Sequence, residues 1–505
     1  TLVAGANREY GLYVLDNGGA EQDADEWWKA MCQATNDLLI AAKAKPESIA
    51  GISFCSQMQG LVLADKTGKA IRRPMSYMDQ RAKKEFARGM GFGLKIGGCN
   101  IIRLLKCLYY TKAAPTSVKD PIWKYLWVRD NEPENFKKVY KWLDVKEYLI
   151  ARCTGKFVMT EDSAFSTFLY DTRPDKRGWN RSLCRMFGVD MSHLPQIIKA
   201  TDNVGCLTED AASDLGLTIK TMVFGGGGDA TLIGVGSGAT NIGDTHIYSG
   251  TSGWVSTVVK KQVVDTNAMI ASIVGAEKGK FNYFAEMETA GKCFEWVKDH
   301  LALDEIGIYL EKTHVAESHE AIYMSLYDYM TKTVADAPPG SGNVLFTPWL
   351  HGNRCPFEAP DAAGMFFNIR LETGKTELIR SVLEGICFHL RWMLECQDKK
   401  IVTANIIRFV GGGALSPVTS QILADITGRK VVVVENPQNV GSVGAAAIIG
   451  IGLGLIENLD VIGKYINVTA SYVPNVSRRD LYDRNYSVFK RLYASNKTNF
   501  KMLAS

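Results

Sequence analysis

Four consecutive glycines followed by an aspartate, Gly225 to Asp229, are the residues of this chain best suited to chemistry. They come directly after the short apolar run 221–224. Glycine runs suit places where the backbone turns sharply or where a ligand approaches it closely. A carboxylate there could accept a proton from a bound hydroxyl or lie beside a metal ion and a phosphate group. A glycine-rich loop with a solvated aspartate is the alternative, and this run alone does not decide between them.

Two further glycine turns occur, at residues 250–253 (GTSG) and 411–413 (GGG), each following or splitting a predicted strand. Successive backbone N–H groups in such turns can hold phosphate oxygens. The chain has no P-loop motif and no strand-linked dinucleotide fingerprint, which disfavours P-loop proteins and Rossmann dehydrogenases. Three glycine turns, one of them beside an aspartate, therefore indicate a nucleotide held in a cleft.

The elements that must position these turns alternate between strand and helix patterns, which predicts α/β domains. The predicted strands are 50–54, 61–63, 222–224, 247–249, 255–259, 405–410 and 430–434. The predicted helices are 124–129, 144–151, one around 185, 377–396, 416–426 with Ser416 as N-cap and Gly428 at its end, and 441–456, buried against a sheet. A length of 505 residues predicts two domains. The segment 238–246 connects two strand-rich regions, which places the domains at 1–243 and 244–505.

The composition narrows the class of protein. Hydrophobic residues make up 46% and charged residues 22%, as in a soluble globular protein. The formal net charge is +4 without a block of basic residues, so binding to nucleic acid or to a membrane is not supported. Eleven scattered cysteines without a Cys-x-x-Cys pair favour a reducing cytoplasm over a disulfide framework or a zinc site.

Several segments together resemble the FGGY family of carbohydrate kinases, and the xylulokinase-like group in particular. Residues 121–132 (PIWKYLWVRDNE) resemble the first family signature, and 384–388 (EGICF) with Arg391 resemble the second. Residues 411–417 (GGGALSP), followed by 421–425 (QILAD) and Gly428, are similar to the family's adenosine-binding segment. The resemblance covers almost the whole chain, and in combination these motifs are specific.

This resemblance implies an actin-like (ribonuclease H-like) two-domain ATPase fold with a central nucleotide cleft. The implied activity is ATP-dependent phosphorylation of a sugar or polyol hydroxyl, with Mg²⁺ accompanying ATP. Asp229 matches the general base, and an indirect contact with the metal is left open. Nucleotide contacts are implied for Gly250, Thr251, Ser252, Gly291, Gly412, Gly413 and Ser416. For residues 250–252 a simple hairpin turn is the alternative, and for Gly291 a helix-start glycine.

The implied sugar site lies in the N-terminal domain, on two loops. Residues 57–60 (QMQG) resemble a xylulokinase loop in which Gln59 replaces the usual histidine, so Gln57, Met58 and Gln59 are predicted substrate contacts. Residues 77–81 (YMDQR) resemble a second loop, with Tyr77 in place of tryptophan. Asp79 could accept hydrogen bonds from two sugar hydroxyls or pair with Arg81.

These replacements, together with Ala230 where xylulokinases have asparagine, leave ribulose or a pentitol open beside xylulose. The family's first strand and its Asp-x-Gly-Thr loop are not found. Asp16 resembles that loop only superficially, and we expect the first strands to lie upstream of Thr1, although natural loss is the alternative.

Three readings of the function follow. The first is a cytoplasmic ATP-dependent kinase of a ketopentose or related sugar. The second is an inactive relative that binds sugar or nucleotide as a sensor. The third, an actin-like ATPase without a sugar substrate, is disfavoured by the two loops. The implied partners are a small sugar and ATP, and a homodimer is left open.

Overall fold

The computed structural model describes residues 1–301, 332–335 and 337–504. The chain divides into two compact units. The first unit consists of Thr1–Gly236, Ile273–Lys280 and Gly441–Val461, and the second of Ser237–Ser272, Phe281–Val440 and Ile462–Ser505. No sequence feature had singled out the two short segments that return to the first unit.

The first unit combines ten helices within residues 1–236 with short strands. Its helices are Ala24–Ala42, Lys83–Gly89, Ile101–Thr111, Pro121–Asn131, Pro133–Phe136, Val145–Thr154, Glu161–Ser166, Arg181–Phe187, Glu209–Leu215 and Asp229–Gly236. Its strands are Tyr13–Val14, Ala20–Glu21, Gly51–Ile52, Cys55–Ser56, Val62–Ala64, Lys95–Ile96, Cys99–Asn100, Lys141–Leu143, Val158–Thr160, Tyr170–Asp171, Gly178–Trp179, Gln196–Ile198, Asn203–Cys206, Met222–Phe224 and Gly227–Gly228.

Apolar side chains bury these elements against one another in separate clusters. One cluster includes Trp123 and Tyr125 from the helix Pro121–Asn131, together with Leu61 and Met75. The rings of Tyr125 and Trp142 stack with their centroids 4.9 Å apart. The helix that carries Lys124 is therefore held rigidly by its aromatic neighbours.

The second unit is built on an eight-stranded mixed sheet. In spatial order its strands are Val264–Asp265, Ile270–Val274, Phe281–Met287, Gly253–Val259, Thr245–Ser249, Ile406–Val410, Lys430–Val434 and Val468–Tyr472. A separate pair is formed by Leu345–Thr347 and Met365–Phe367. Its helices include Gly291–His300, Lys375–Asp398, Pro417–Thr427 and Arg479–Leu503. The helix Val440–Gly452 belongs to the first unit from Gly441 onward.

Local sequence signals located most of these elements. The long helix spans Lys375–Asp398, against a prediction of 377–396, because its apolar residues repeat with helical period and are buried. Ser416 accepts a hydrogen bond from the Thr419 N–H and caps the helix Pro417–Thr427, and Gly428 ends it with φ 69°. The predicted hairpin around residues 250–253 is also confirmed.

The predicted bounds of two secondary-structure elements were wrong. Residues 50–54 were expected to form one strand, but the chain forms Gly51–Ile52 and then Cys55–Ser56, with a break between them. The helix predicted over 441–456 ends at Gly452, and Ser442 and Ala446 on it are exposed, so it is buried on one face only. No helix among the described residues is long and apolar enough to cross a bilayer.

Candidate active site

The glycine run forms a bulge in a parallel ladder of the first unit. Met222 pairs with Gly51, whereas Gly227 pairs with Cys55, so the glycine strand carries one extra residue between these pairs. Gly226 takes up the extra length in the left-handed region, with φ 67°. Bulges re-aim the residues that follow them. Here the bulge at Gly226 is followed by the short strand Gly227–Gly228 and then by Asp229, the first residue of the helix Asp229–Gly236.

The strand paired with the end of the glycine run leads into the first predicted substrate loop. Gly228 pairs with Ser56, so the next residue on each strand, Asp229 on one and Gln57 on the other, follows a paired position. Met58 packs on Gly228 so closely that a Cβ there would lie 2.2 Å from the Met58 Cγ. The Gln57 amide donates a 2.6 Å hydrogen bond to the Gln22 side chain. The predicted base and this loop are therefore neighbours.

The second predicted loop presents two exposed side chains and one buried carboxylate. Tyr77 and Met78 are 47% and 39% exposed. Asp79 is fully buried, and its carboxylate accepts hydrogen bonds from the Arg81 guanidinium at 2.8 Å and from the Ala20 N–H at 2.8 Å. Of the two interpretations of Asp79, the ion pair with Arg81 is the one observed, and a contact with sugar stays a prediction.

Lys124 connects the two loops. It is fully buried, and its ammonium donates hydrogen bonds to the Gln59 carbonyl at 2.8 Å and to the Ser76 carbonyl at 2.7 Å. Gln59 has φ 64°, so its peptide is held in a conformation that non-glycine residues rarely adopt. Burial lowers the pKa of Lys124 to about 8, against an opposing effect of the carboxylates of Asp79, Asp144 and Asp120.

Asp144 supports the first loop from its other side. Its carboxylate accepts hydrogen bonds from the Gly60 N–H at 3.0 Å and from the Val145 N–H at 2.8 Å. It also caps the helix Val145–Thr154. Burial, and then the nearby charge of Glu147, raises the pKa of Asp144 to about 7.

A second buried charge cluster holds the glycine run. The Asp162 carboxylate accepts a 2.7 Å hydrogen bond from the Gly228 N–H, one residue before Asp229. Lys146 lies 3.8 Å from that carboxylate and also pairs with Glu147. Burial alone would raise the pKa of Asp162, but the charge of Lys146 and the donated hydrogen bonds hold it below its usual value. Asp162 is therefore a charged acceptor directly behind the predicted base.

In the second unit, the other two glycine turns meet at one edge of the sheet. The parallel strands Thr245–Ser249 and Ile406–Val410 end side by side, with Tyr248 paired to Val410. A Cβ on Gly411, which has φ 89°, would lie 2.6 Å from the Ser249 carbonyl oxygen. The carboxyl ends of adjacent parallel strands are a common place for ligands in α/β sheets.

The turn at residues 250–253 is held partly by its own backbone. The Gly250 N–H donates to the Ser252 carbonyl at 3.0 Å, and the Gly291 N–H donates to the Gly250 carbonyl at 2.6 Å. Gly291 begins the helix Gly291–His300, so it starts a helix and also supports the turn. Thr251 is exposed, and neither its hydroxyl nor that of Ser252 makes a hydrogen bond within the described part of the chain.

The third turn is close-packed. Gly412 and Gly413 are buried, and a Cβ on Gly413 would lie 2.8 Å from the Ser249 Oγ. Ser416 is also buried and uses its Oγ as a helix cap, so its predicted contact with adenosine has a structural alternative. The buried Ser249 Oγ lacks a hydrogen-bond partner among the described residues.

The predicted residues thus form two groups. Asp229 lies with the 57–59 and 77–79 loops in the first unit, and residues 250–252, 291, 412, 413 and 416 lie in the second. Sequence reasoning missed the supporting charges Lys124, Asp144, Lys146 and Asp162. Lys124 was available only as a member of the 121–132 motif, and the other three carried no signal, because their partners are distant in sequence.

Comparison with models of protein families identifies the family to which this chain belongs. The model of the N-terminal domain of the FGGY family of carbohydrate kinases matches residues 1–236, and that of the C-terminal domain matches residues 246–453. The chain belongs to the FGGY family of carbohydrate kinases and has the two-domain actin-like fold of that family. Its fold and family, as expected from the motifs, are confirmed.

Individual relatives carry two different substrate names. The xylulose kinase of Bacillus subtilis (strain 168) is 26% identical over 500 residues, with 98% of this chain and 93% of the relative covered. A gluconokinase of Bacillus licheniformis is 25% identical over 503 residues, with 98% and 92% covered. The ligand-bound xylulose kinase of Lactobacillus acidophilus has a TM-score of 0.82 at 24% identity, with 98% of this chain and 94% of that chain covered.

Proposed function

We propose that this protein transfers the γ-phosphoryl group of ATP to a hydroxyl of a ketopentose such as xylulose, with Asp229 as the general base. One observation carries the proposal. The ladder that pairs Gly227–Gly228 with Cys55–Ser56 brings Asp229 beside the loop of Gln57, Met58 and Gln59. A base must lie within hydrogen-bond reach of the proton that it removes.

The reaction follows from this arrangement. Asp229 orients the sugar hydroxyl and accepts its proton as the hydroxyl oxygen forms a bond to the γ-phosphorus. The bond from the γ-phosphorus to the bridging oxygen breaks, and ADP leaves with that oxygen. Phosphoryl transfer depends mainly on such positioning and on stabilisation of charge. Asp229 is half-buried, and the hydrogen bond from the Gly228 N–H to the Asp162 carboxylate fixes the backbone before it.

The nucleotide would be held by the second unit. We assign the phosphates to Gly250, Thr251 and Ser252, with the two hydroxyls as donors, and the adenosine to the segment of Gly412 and Gly413. Gly291 and Ser416 support these turns through the contacts described above. Mg²⁺ would neutralise phosphate charge. Phosphate oxygens and water would be its main ligands, with Asp229 as an indirect neighbour.

The choice of a neutral ketose over gluconate rests on the charges around the sugar loops. A carboxylate substrate would need an available cation. Arg81 is bound to Asp79 and Glu21, and Lys124 is bound to two backbone carbonyls. Neither of these two cations is available to a substrate carboxylate, which favours an uncharged substrate.

The test is ADP formation by the purified protein with a panel of xylulose, ribulose, pentitols, glycerol and gluconate. We expect sugar-dependent turnover with a pentulose, and a loss of about 10²- to 10⁴-fold in kcat for Asp229→Asn. Asp65→Asn is the control, because Asp65 accepts hydrogen bonds from the N–H groups of Thr67 and Lys69 in its own turn. Equal kcat for Asp229→Asn and the wild type would overturn the proposed role of Asp229. Turnover with gluconate alone would overturn the proposal of a ketopentose substrate.

The sensor alternative predicts a different result. A sugar would then raise the unfolding temperature of the protein, as any ligand of the folded state does, without any ADP formation. Measuring both quantities on the same preparation separates a kinase from a binding protein.

A further inference from the structure

The two sugar loops, residues 57–60 and 77–81, are separated by the segment 61–76. The first follows the strand Cys55–Ser56, and the second lies after Met75. Backbone hydrogen bonds between Leu61 and Met75, at 2.9 and 3.0 Å, pair the stems of the two loops. These bonds join the loops at their stems, directly before Ser76 and two residues after Gln59.

The Lys124 ammonium joins the two loops where they leave these stems. Its two acceptors are the carbonyl of Gln59, inside the first loop, and the carbonyl of Ser76, directly before Tyr77 in the second. Its helix, Pro121–Asn131, is anchored in the aromatic cluster. A fully buried ammonium that is bound only to backbone carbonyls is costly, because burial opposes the charged form. An apolar side chain in its place would avoid that cost, so the lysine calls for a role that an apolar residue could not perform.

We propose that Lys124 is a positioning residue for sugar binding, and that its ammonium fixes the distance between the two loops that grip the substrate. This inference rests on the proposed function for the location of the sugar, but the bridge between the loops does not. Charge-assisted hydrogen bonds to two carbonyls hold both peptides in place before the sugar arrives. Such preorganisation lowers the cost of binding.

The role of Lys124 differs from that of the Asp162 cluster. Asp162 holds Gly228 and therefore acts on the base, whereas Lys124 touches neither Asp229 nor the glycine run. Loss of the Lys124 ammonium should weaken sugar binding more than it slows the chemical step. It should leave the KM for ATP unchanged, because the predicted nucleotide residues lie in the other unit.

The first arm of the test measures amide hydrogen exchange in Lys124→Met, without any ligand. Methionine keeps the length and the apolar stem but has no donor. We expect faster exchange at Gly60 in the first loop and at Ser76 and Asp79 in the second. Leu215→Ala is the matched control, since it creates a cavity in a separate apolar cluster and destabilises the same unit. Unchanged exchange in either loop, or equal change in the control, overturns the inference whatever the activity.

The second arm measures kinetics with the pentulose identified by the panel. We expect the KM for sugar to rise about 10- to 100-fold in Lys124→Met, with the KM for ATP within about twofold of the wild type. Leu215→Ala should leave both KM values unchanged. Lys124→Gln, which retains neutral donors on a shorter chain, serves if the methionine variant does not fold, and should raise the sugar KM as well. An unchanged sugar KM in a folded variant overturns the inference.

The two arms distinguish this inference from the proposed function. If the wild type shows neither turnover nor thermal protection with any sugar of the panel, the proposed function fails, and the exchange arm still decides whether Lys124 bridges the loops. If the wild type is a sugar kinase and Lys124→Met behaves as Leu215→Ala does, only the inference fails.

Discussion

Replacing Gly226 with alanine tests whether the bulge before Asp229 requires glycine. Two costs can be worked out for this change. Gly226 has φ 67°, and an alanine in the left-handed region costs roughly 1–2 kcal/mol. The new Cβ would also lie 2.3 Å from the Phe54 carbonyl oxygen and 2.9 Å from the Phe54 nitrogen. Relieving such an overlap requires a backbone shift, which costs roughly 1–3 kcal/mol more.

The expected shift falls at the site. The same Phe54 carbonyl accepts the Gly227 N–H at 3.0 Å, and this hydrogen bond is the first in the ladder that leads to Asp229. We therefore expect Gly226→Ala to lose roughly 2–5 kcal/mol in the free energy of unfolding. A displacement of about 1 Å at Asp229 should lower kcat by about 10²-fold.

Gly155→Ala is the matched control. Gly155 has nearly the same conformation, φ 70°, and ends the helix Val145–Thr154, but a Cβ there would meet no atom within 4 Å. It should lose only the roughly 1–2 kcal/mol of the left-handed conformation, with kcat unchanged. Denaturant unfolding of both variants, followed by assays of ADP formation, gives the comparison. Equal stability of the two variants, or full kcat in Gly226→Ala, would refute the argument that a close backbone approach at this bulge demands glycine.

The remaining predictions concern the two buried charge clusters. Asp162→Asn should cost roughly 3–5 kcal/mol of stability, because it breaks a buried ion pair with Lys146. It should also lower kcat more than it raises the sugar KM. An unaffected kcat would show that the Gly228 N–H needs no charged acceptor. The pKa of Lys124 is about 8 in the folded state, below the value of 10.5 for the unfolded state. Between these two pH values the unfolded state therefore binds more protons than the folded state. The stability of the wild type should consequently rise with pH over this range. Unfolding at pH 7.5 and 10 should show the wild type gaining up to roughly 3 kcal/mol relative to Lys124→Met, and a constant difference between the two proteins would contradict the burial of the charged amine.

Local signals in the sequence were sufficient for most of the second unit. Apolar periodicity, the Ser416 cap and Gly428 predicted helices whose observed bounds differ by one or two residues. The glycine turns also followed their strands as predicted. Such signals act within one or two turns of a helix or along one strand, so the residues that produce them are neighbours in sequence.

The sequence alone also determined the family, through its combined motifs, and the candidate base Asp229, which directly follows the glycine run. Tertiary structure decided how that base is supported. The strand predicted over 50–54 is broken because the partner strand has one extra residue, at the Gly226 bulge, and no pattern within 50–54 could reveal this.

The buried charges show the same limit. Lys124 reaches carbonyls 48 and 65 residues away, and Asp162 reaches a peptide 66 residues away. In the sequence, nothing marks Lys124 as a bridge between two loops, and Asp79 can equally contact a sugar or Arg81. Only the packing of distant segments removes water from these groups, and removal of water is what makes their hydrogen bonds strong enough to hold the loops.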